Sequence, residues 1–401
     1  MAQQARQNEV LGKRVLALTL FVALAVLTLC APAYASSIKW KHLSSRNGHL
    51  QAPGASNQQT AALVLDADKD GVNDFVVACR IKGPAVIWFR RQADGWKRYV
   101  IDGDTLAIEA GAASCDIDTD GDLDFVMGGD WSSNQVWWWE NPYPNYDPNT
   151  PWRRRCVKNS GEKKHHHQLF GDFDGDGKAE LVFWNQGASK LFLAEIPLDP
   201  KMTEPWPCTA IYTYTGGEHE GLARADVDGD GKLDIVGGGR WFKHEGGTNY
   251  TPHVIDDRQR FAKAAAGELK KGGWAEAVFC PGDAIGRLKW YEWDGGQWVA
   301  HDLLGVDVVH GHSLELADFD GDGNLDIFCA EMHTPGHKEQ ATMWIFFGDG
   351  KGNFEKTVIA TGYGNHESQV GDLDGDGDVD ILHKPYTWDA PRIDVWLNGL
   401  K

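Results

Sequence analysis

An acidic loop, D-x-D-x-D-G-x-x-[DE], occurs six times along this chain of 401 residues, and its recurrence limits the fold more than any other feature. The loops begin at Asp66, Asp116, Asp172, Asp226, Asp318 and Asp372. Their carboxylates at positions one, three, five and nine are Asp66, Asp68, Asp70 and Asp74; Asp116, Asp118, Asp120 and Asp124; Asp172, Asp174, Asp176 and Glu180. The other three loops supply Asp226, Asp228, Asp230 and Asp234; Asp318, Asp320, Asp322 and Asp326; Asp372, Asp374, Asp376 and Asp380. Hard oxygen ligands around a sharp glycine turn suit Ca²⁺, which accepts six to eight oxygens in flexible geometry. Up to six structural Ca²⁺ ions are therefore expected.

An EF-hand would need an acidic residue at position twelve and a helix on each side. Position twelve is Val77, Met127, Phe183, Gly237, Cys329 or His383, and each loop runs into a short apolar segment such as Phe75-Val76-Val77. Such runs read as strands, so the loop joins strand to strand. The loop starts are 50, 56, 54, 92 and 54 residues apart, and the long gap hides one unit without an acidic loop. Its remnants are Ala264-Ala265-Ala266-Gly267-Glu268, Ala277-Val278-Phe279 and Leu288-Lys289-Trp290-Tyr291. A third strand recurs in all seven units, as in Val136-Trp137-Trp138-Trp139, and a fourth opens near Trp96, Trp152, Trp206, Tyr250, Trp298 or Phe354. The seventh unit has no fourth strand after Trp396; Ile38 to Leu43, with Trp40, fits that role. Seven four-stranded units closed by the opposite end of the chain predict an all-β, seven-bladed β-propeller over 36–401. These residues resemble the FG-GAP or VCBS-type repeat family.

Residues 1–35 read as a cleaved secretory signal, with Lys13-Arg14, an apolar stretch from Val15 to Leu29, and Ala33-Tyr34-Ala35 before Ser36. This predicts a secreted or periplasmic protein with no membrane span after cleavage. Lipidation at Cys30 fits less well, because Leu29 is large; a retained anchor needs Ala31 to Ala35 to reach spanning length. The formal charge of −19 becomes −21 without the signal and about −9 with six Ca²⁺ bound, a balance that argues against nucleic acid as partner. Cys79, Cys280 and Cys329 end the second strands of three units, positions not expected to face one another. Cys115, Cys156 and Cys208 complete the six thiols left after cleavage, read as free with one pair at most. Composition leaves the oligomeric state open.

Residues six or seven places before each loop begin the innermost strand, on the face opposite the loops and nearest the axis. They are Glu109, His165-His166-His167-Gln168, His219-Glu220, His310-Gly311-His312-Ser313 and Asn365-His366-Glu367-Ser368. The first unit offers Gln58-Gln59-Thr60 and the fifth only alanines and Gly267. His166, Glu220, His312 and His366 share one offset from their loops, so alternation aims them alike. Converging imidazoles and carboxylates hold a divalent transition metal such as Zn²⁺ or Mn²⁺, or act as general bases near neutrality. The connections between second and third strands open on the same face and bring Arg80, Lys82, Asp130, Trp131, Asn185, Gln186, Arg240, Glu331, His333, His383, Lys384 and Tyr386. Aromatic groups interleaved with cations and amides suit a carbohydrate ligand or substrate, with Arg240, His383 and Tyr386 the leading candidates. No G-x-S-x-G, H-E-x-x-H, C-x-x-C, P-loop or dinucleotide fingerprint is present.

The strings EAGAAS, HHHQLFGDFDGDG, HEGL, GHSLELADFDGDGNLD and GNHES resemble the propeller domain of the aldos-2-ulose dehydratase family and, more distantly, propeller-fold polysaccharide lyases such as rhamnose–glucuronate lyases. The resemblance implies a metal-bearing central funnel in which a sugar undergoes β-elimination, with ligands drawn from His166, His219, Glu220, His312 and His366. It also implies a carbon–oxygen lyase, either a sugar dehydratase or a polysaccharide lyase acting on uronate-containing glycans. The dehydratase family's C-terminal cupin domains have no counterpart here. Catalysis would fall to His166, His312, His366, Tyr386, Arg240 and His383. Two other readings fit the residues: a non-catalytic glycan- or protein-binding calcium propeller, and a glycoside hydrolase using Glu109, Glu220 or Glu367.

Overall fold

The computed structural model describes residues 38–400 apart from 337; the segment read as a signal, 1–35, lies outside them. Among the described residues the chain forms seven four-stranded antiparallel sheets arranged as propeller blades, with two single turns of 3-10 helix. The innermost strands are Gln59–Leu65, Ala113–Cys115, His165–Gly171, Ala223–Ala225, Ala262–Gly267, Ser313–Ala317 and Gln369–Gly371. Six blades are consecutive in sequence. The seventh takes its outer strand from Lys41–Ser44, which pairs antiparallel with Asp394–Leu397 and is shorter than the Ile38–Leu43 segment expected. No described helix is long and apolar enough to cross a membrane.

The hydrophobic core lies in the seams between blades. Side chains on one strand alternate between the two neighbouring blades, so the run Trp137-Trp138-Trp139 is shared out. Trp137 and Trp139 pack with Trp88, Phe125 and Trp152 on the blade 1 side, while Trp138 packs with Phe170, Phe183 and Trp206 on the blade 3 side. Trp88, Trp138 and Trp139 are fully buried, and aromatic surface of this size dominates the burial energy. The same packing brings Cys280 and Cys329 together across the seam between blades 5 and 6, Sγ to Sγ 3.2 Å. This corrects the expectation that equivalent strand ends do not meet: neighbouring blades stack face to face, so equivalent positions can touch. The six described cysteines are free thiols.

The ninth carboxylate of each acidic loop works as a backbone clasp. Asp326 accepts from Phe319 N and Gly348 N, each at 2.8 Å, and Asp380 accepts from Leu373 N at 2.8 Å and Asn398 N at 2.7 Å. Asp74, Asp124, Glu180 and Asp234 take equivalent backbone N–H groups. In blade 5, Glu276 clasps Leu269 N and Lys270 N although the loop there begins Glu268-Leu269-Lys270. The clasp therefore persists where the acidic residues at positions three and five are replaced by Lys270 and Gly272. At the loop mouths Asp66, Asp68 and Asp70 offer oxygens within 4.8 Å of one another, as do Asp116, Asp118 and Asp120, and Asp226, Asp228 and Asp230. In at least two loops the ninth position joins the cluster: Asp172 and Asp174 with Glu180, and Asp318 and Asp320 with Asp326.

Candidate active site

Two layers of polar side chains close the axis on the face opposite the acidic loops. The upper layer holds His166, Glu220, His312 and His366, the four residues that share one offset. Glu220 is fully buried, and His166 Nε2 and His312 Nε2 each lie 3.8 Å from one of its oxygens. Neither oxygen of Glu220 has a hydrogen-bond partner. Asp283, carried by the connection after the second strand of blade 5, comes within 3.0 Å of His312 Nε2. The His366 ring stacks between His312, 4.6 Å away, and Tyr386, 4.9 Å away.

The lower layer consists of His167, Lys263 and Glu367. Lys263 Nζ is 2.5 Å from His167 Nε2 and 3.0 and 3.1 Å from the oxygens of Glu367, while Glu367 lies 3.6 Å from His312 Nδ1. Adjacent residues on a regular strand face opposite ways, so His166 and His167 should not both reach the axis. A register shift at His167, with φ of 50°, turns its ring inward and leaves Nδ1 2.7 Å from Nδ1 of His166. Glu367 adopts the same left-handed backbone, φ 51°, beside His366. Such conformations cost non-glycine residues about 1–3 kcal/mol and gather where side chains must be aimed. Below this layer, a cavity of about 480 Å³ opens along the axis, lined by His167, Arg224, Lys263, Glu315, Glu367 and Gln369.

Burial sets the protonation of these groups. It drives His166 down to about 3 and takes His366 and His167 well below the usual histidine value, so these three rings are neutral at pH 7. Burial also raises Glu220 to about 7. It opposes the charged form of His312, but the Asp283 and Glu220 carboxylates hold that ring well above its ordinary value. For Glu367 burial is outweighed first by the Lys263 ammonium, and its carboxyl stays well below the usual range.

At the mouth, Arg80 donates to the Tyr386 hydroxyl at 2.6 Å and to Asp130 at 3.1 Å, lies 3.5 Å from Glu109, and faces the exposed Trp131 ring. Burial raises the Tyr386 hydroxyl above its ordinary value, keeping it protonated.

Three of the residues singled out from sequence are not brought to the axis. His219 precedes Glu220 and faces away from it, stacking on Tyr214 at 3.8 Å and packing against Trp184. Arg240 lies beside His219 and is engaged by Asp257 at 2.7 Å. His383 is fully buried inside blade 7, bonded to Gly364 O at 2.7 Å and Trp396 Nε1 at 3.3 Å. Sequence reasoning in turn missed Lys263 and Asp283. Lys263 stands five residues before Glu268, the offset that His167 and Glu367 have from their loops, so alignment on the degenerate loop would have found it. Asp283 lies outside the repeat pattern.

Residues 172–237 and 318–383 match the family model described as FG-GAP-like repeat. The chain carries FG-GAP-like repeats. It is also 25% identical, over 251 residues, to rhamnogalacturonan exolyase YesX of Bacillus subtilis (strain 168), a stretch covering 57% of this chain. The chain spans 39% of that relative's length. Among solved structures, BBS1N, crystallised in complex with ARL6DN, superposes with a TM-score of 0.53 at 10% identity, covering 89% of this chain and 96% of the other. This likeness speaks for the fold alone. NanB sialidase of Streptococcus pneumoniae aligns over 87% of this chain and 69% of its own at 10% identity, with a TM-score of 0.44. The FG-GAP-like repeats thus form a seven-bladed propeller with a distant sugar-lyase relative.

Proposed function

We propose that the protein is a carbon–oxygen lyase that cleaves a uronate-containing glycan by β-elimination at the mouth of the central funnel. The observation that carries this reading is the fully buried Glu220 carboxylate, without a hydrogen-bond partner and flanked by His166 Nε2 and His312 Nε2 at 3.8 Å. That donor set, with Asp283 beside it, fits a divalent transition metal. A cation bound there would polarise a substrate carboxylate or keto oxygen and acidify the adjacent C–H. The chain's own groups serve the rest of the reaction. His366, neutral and held between His312 and Tyr386, accepts the proton from C5 of the uronate. The C4–O bond breaks as the C4–C5 double bond forms, and the Tyr386 hydroxyl gives its proton to the departing sugar oxygen. Arg80, beside that hydroxyl, stabilises the phenolate left behind. No covalent nucleophile is required.

The distant exolyase relative favours a polysaccharide over the keto-sugar of a dehydratase, which would use the same groups. In the same reading the acidic loops hold structural Ca²⁺ and residues 1–35 direct export. The test is incubation of the purified protein with rhamnogalacturonan, other uronate-containing glycans and keto-sugars, following ultraviolet absorbance of the unsaturated product. Elemental analysis should find a non-calcium metal that is lost in Glu220→Gln. A protein that binds no such metal and yields no unsaturated product from any of these substrates is a binding propeller instead.

A further inference from the structure

Blade 5 is the one blade whose loop has lost the acidic residues at positions three and five, where Lys270 and Gly272 stand, and the loop carries a tryptophan at position seven. The seventh loop residue is Val72, Asp122, Lys178, Lys232, Asn324 or Asp378 in the other blades, and Trp274 in this one. Trp274 stacks on Trp293 with ring centroids 4.6 Å apart and planes 8° from parallel, and meets Trp241 of blade 4 edge-on at 5.1 Å. Trp298, at the start of the outer strand, completes the group 6.2 Å from Trp274. These four rings line a cavity of about 630 Å³ between the outer parts of blades 4 and 5. It shares no residue with the axial cluster. Its polar rim comes from Asp228, Lys243, His253 and Gln297.

A core seam would bury these rings completely, as it does Trp88 and Trp138. Here only Trp241 is buried, while Trp274, Trp293 and Trp298 remain partly open to solvent. Aromatic faces carry partial negative charge and attract the polarised C–H bonds on the flat face of a pyranose ring, while the ring's hydroxyls need donors and acceptors at its edge. The cavity supplies both, and its volume falls in the range of small-ligand sites. The charge pattern selects among sugars. Lys243 pairs with Asp228 and lies 2.8 Å from Asp230. One ammonium, or one ammonium and a Ca²⁺ ion, does not neutralise the loop's four carboxylates Asp226, Asp228, Asp230 and Asp234, so the rim stays net acidic and disfavours a uronate.

We infer that the tryptophan-lined cavity between blades 4 and 5 is a binding site for neutral hexopyranose units of a glycan, separate from the axial site. The inference does not depend on the lyase reading. The test titrates the full-length folded protein with cellohexaose, a β-1,4-galactose hexamer and, for comparison, a galacturonate hexamer, recording tryptophan fluorescence and saturation-transfer NMR. A neutral hexamer should quench the fluorescence, with affinity falling by about tenfold or more in Trp293→Ala and in Gln297→Ala and unchanged in His312→Ala. Gln297 lies on an exposed hairpin, so its variant remains informative where loss of Trp293 unfolds the protein. Absence of binding by both neutral probes at about 10 mM overturns the site, as does binding that survives both substitutions or a preference for the acidic hexamer.

Discussion

The Lys263 ammonium lies 3.0 Å from the Glu367 carboxylate, tying blade 5 to blade 7 past blade 6. Both side chains are almost wholly buried, and the same ammonium reaches His167. A buried ion pair adds little over an apolar replacement, but removal of one partner strands the other charge at a cost of about 3–5 kcal/mol. Lys263→Met and Glu367→Gln should each destabilise by an amount of that order, and the double variant should recover much of the loss. Denaturant unfolding of the three variants measures it; additive losses would mean that the two groups are not coupled.

His312→Ala and His366→Ala should each lower turnover at least about a hundredfold, since His366 is the proposed base and His312 flanks the proposed metal site. His312→Ala should also cost stability, because it leaves Asp283 and Glu220 without their buried cation. His383→Ala should lower stability and leave the turnover of the folded protein largely intact. Its ring bridges Gly364 O and Trp396 Nε1, so its removal leaves buried polar groups unpaired and costs stability. Steady-state rates and melting curves on the three variants separate the roles.

The fold was legible because its signal repeats: six acidic loops, four of their spacings 50–56 residues and one of 92 that spans a further unit, point to seven units, and the N-terminal strand followed from the strand missing after Trp396. The upper layer of the site was legible for the same reason, since His166, Glu220, His312 and His366 share an offset. The lower layer was hidden by local backbone. Regular alternation points His167 and Glu367 away from the axis, and only their left-handed φ values return them. Choosing between adjacent candidates was harder still. Nothing in the string His219-Glu220 says which side chain turns inward, and the decision rests on Tyr214 and Trp184, which take His219 into an aromatic pocket.

The acidic loops should make metal-free stability depend on pH in a defined direction. Burial raises Asp124 from an ordinary 3.8 to about 8. Because the folded-state value is the higher one, protonated Asp124 favours folding; its contribution is complete below about pH 4 and is lost as pH rises through about 8. In EDTA, the stability of the wild type relative to Asp124→Asn should therefore fall across that window. Added Ca²⁺ should raise the wild-type melting temperature, because an ion bound only by the folded state stabilises it. Melting curves between pH 4 and pH 8.5, with and without Ca²⁺, provide the check; a flat difference would show that Asp124 does not titrate there.

Deletion of residues 38–45 should destabilise the whole ring, because Lys41–Ser44 is the outer strand of blade 7. The strand brings more than backbone pairing. The His42 ring stacks on Trp396 at 4.0 Å, and its Nε2 lies 2.8 Å from Asp394. Leu43 packs against the seam between blades 7 and 1, and Ser45 Oγ accepts from Ile393 N at 2.9 Å. Without them Asp394–Leu397 becomes an exposed edge carrying Val395 and Trp396, a template for association with other chains. The truncated protein should melt at lower temperature and form aggregates visible by light scattering. A synthetic peptide spanning residues 38–45, added in excess, should restore part of the lost stability by occupying the open edge. A truncated protein as stable and monodisperse as the full chain would show that the ring closes without this strand.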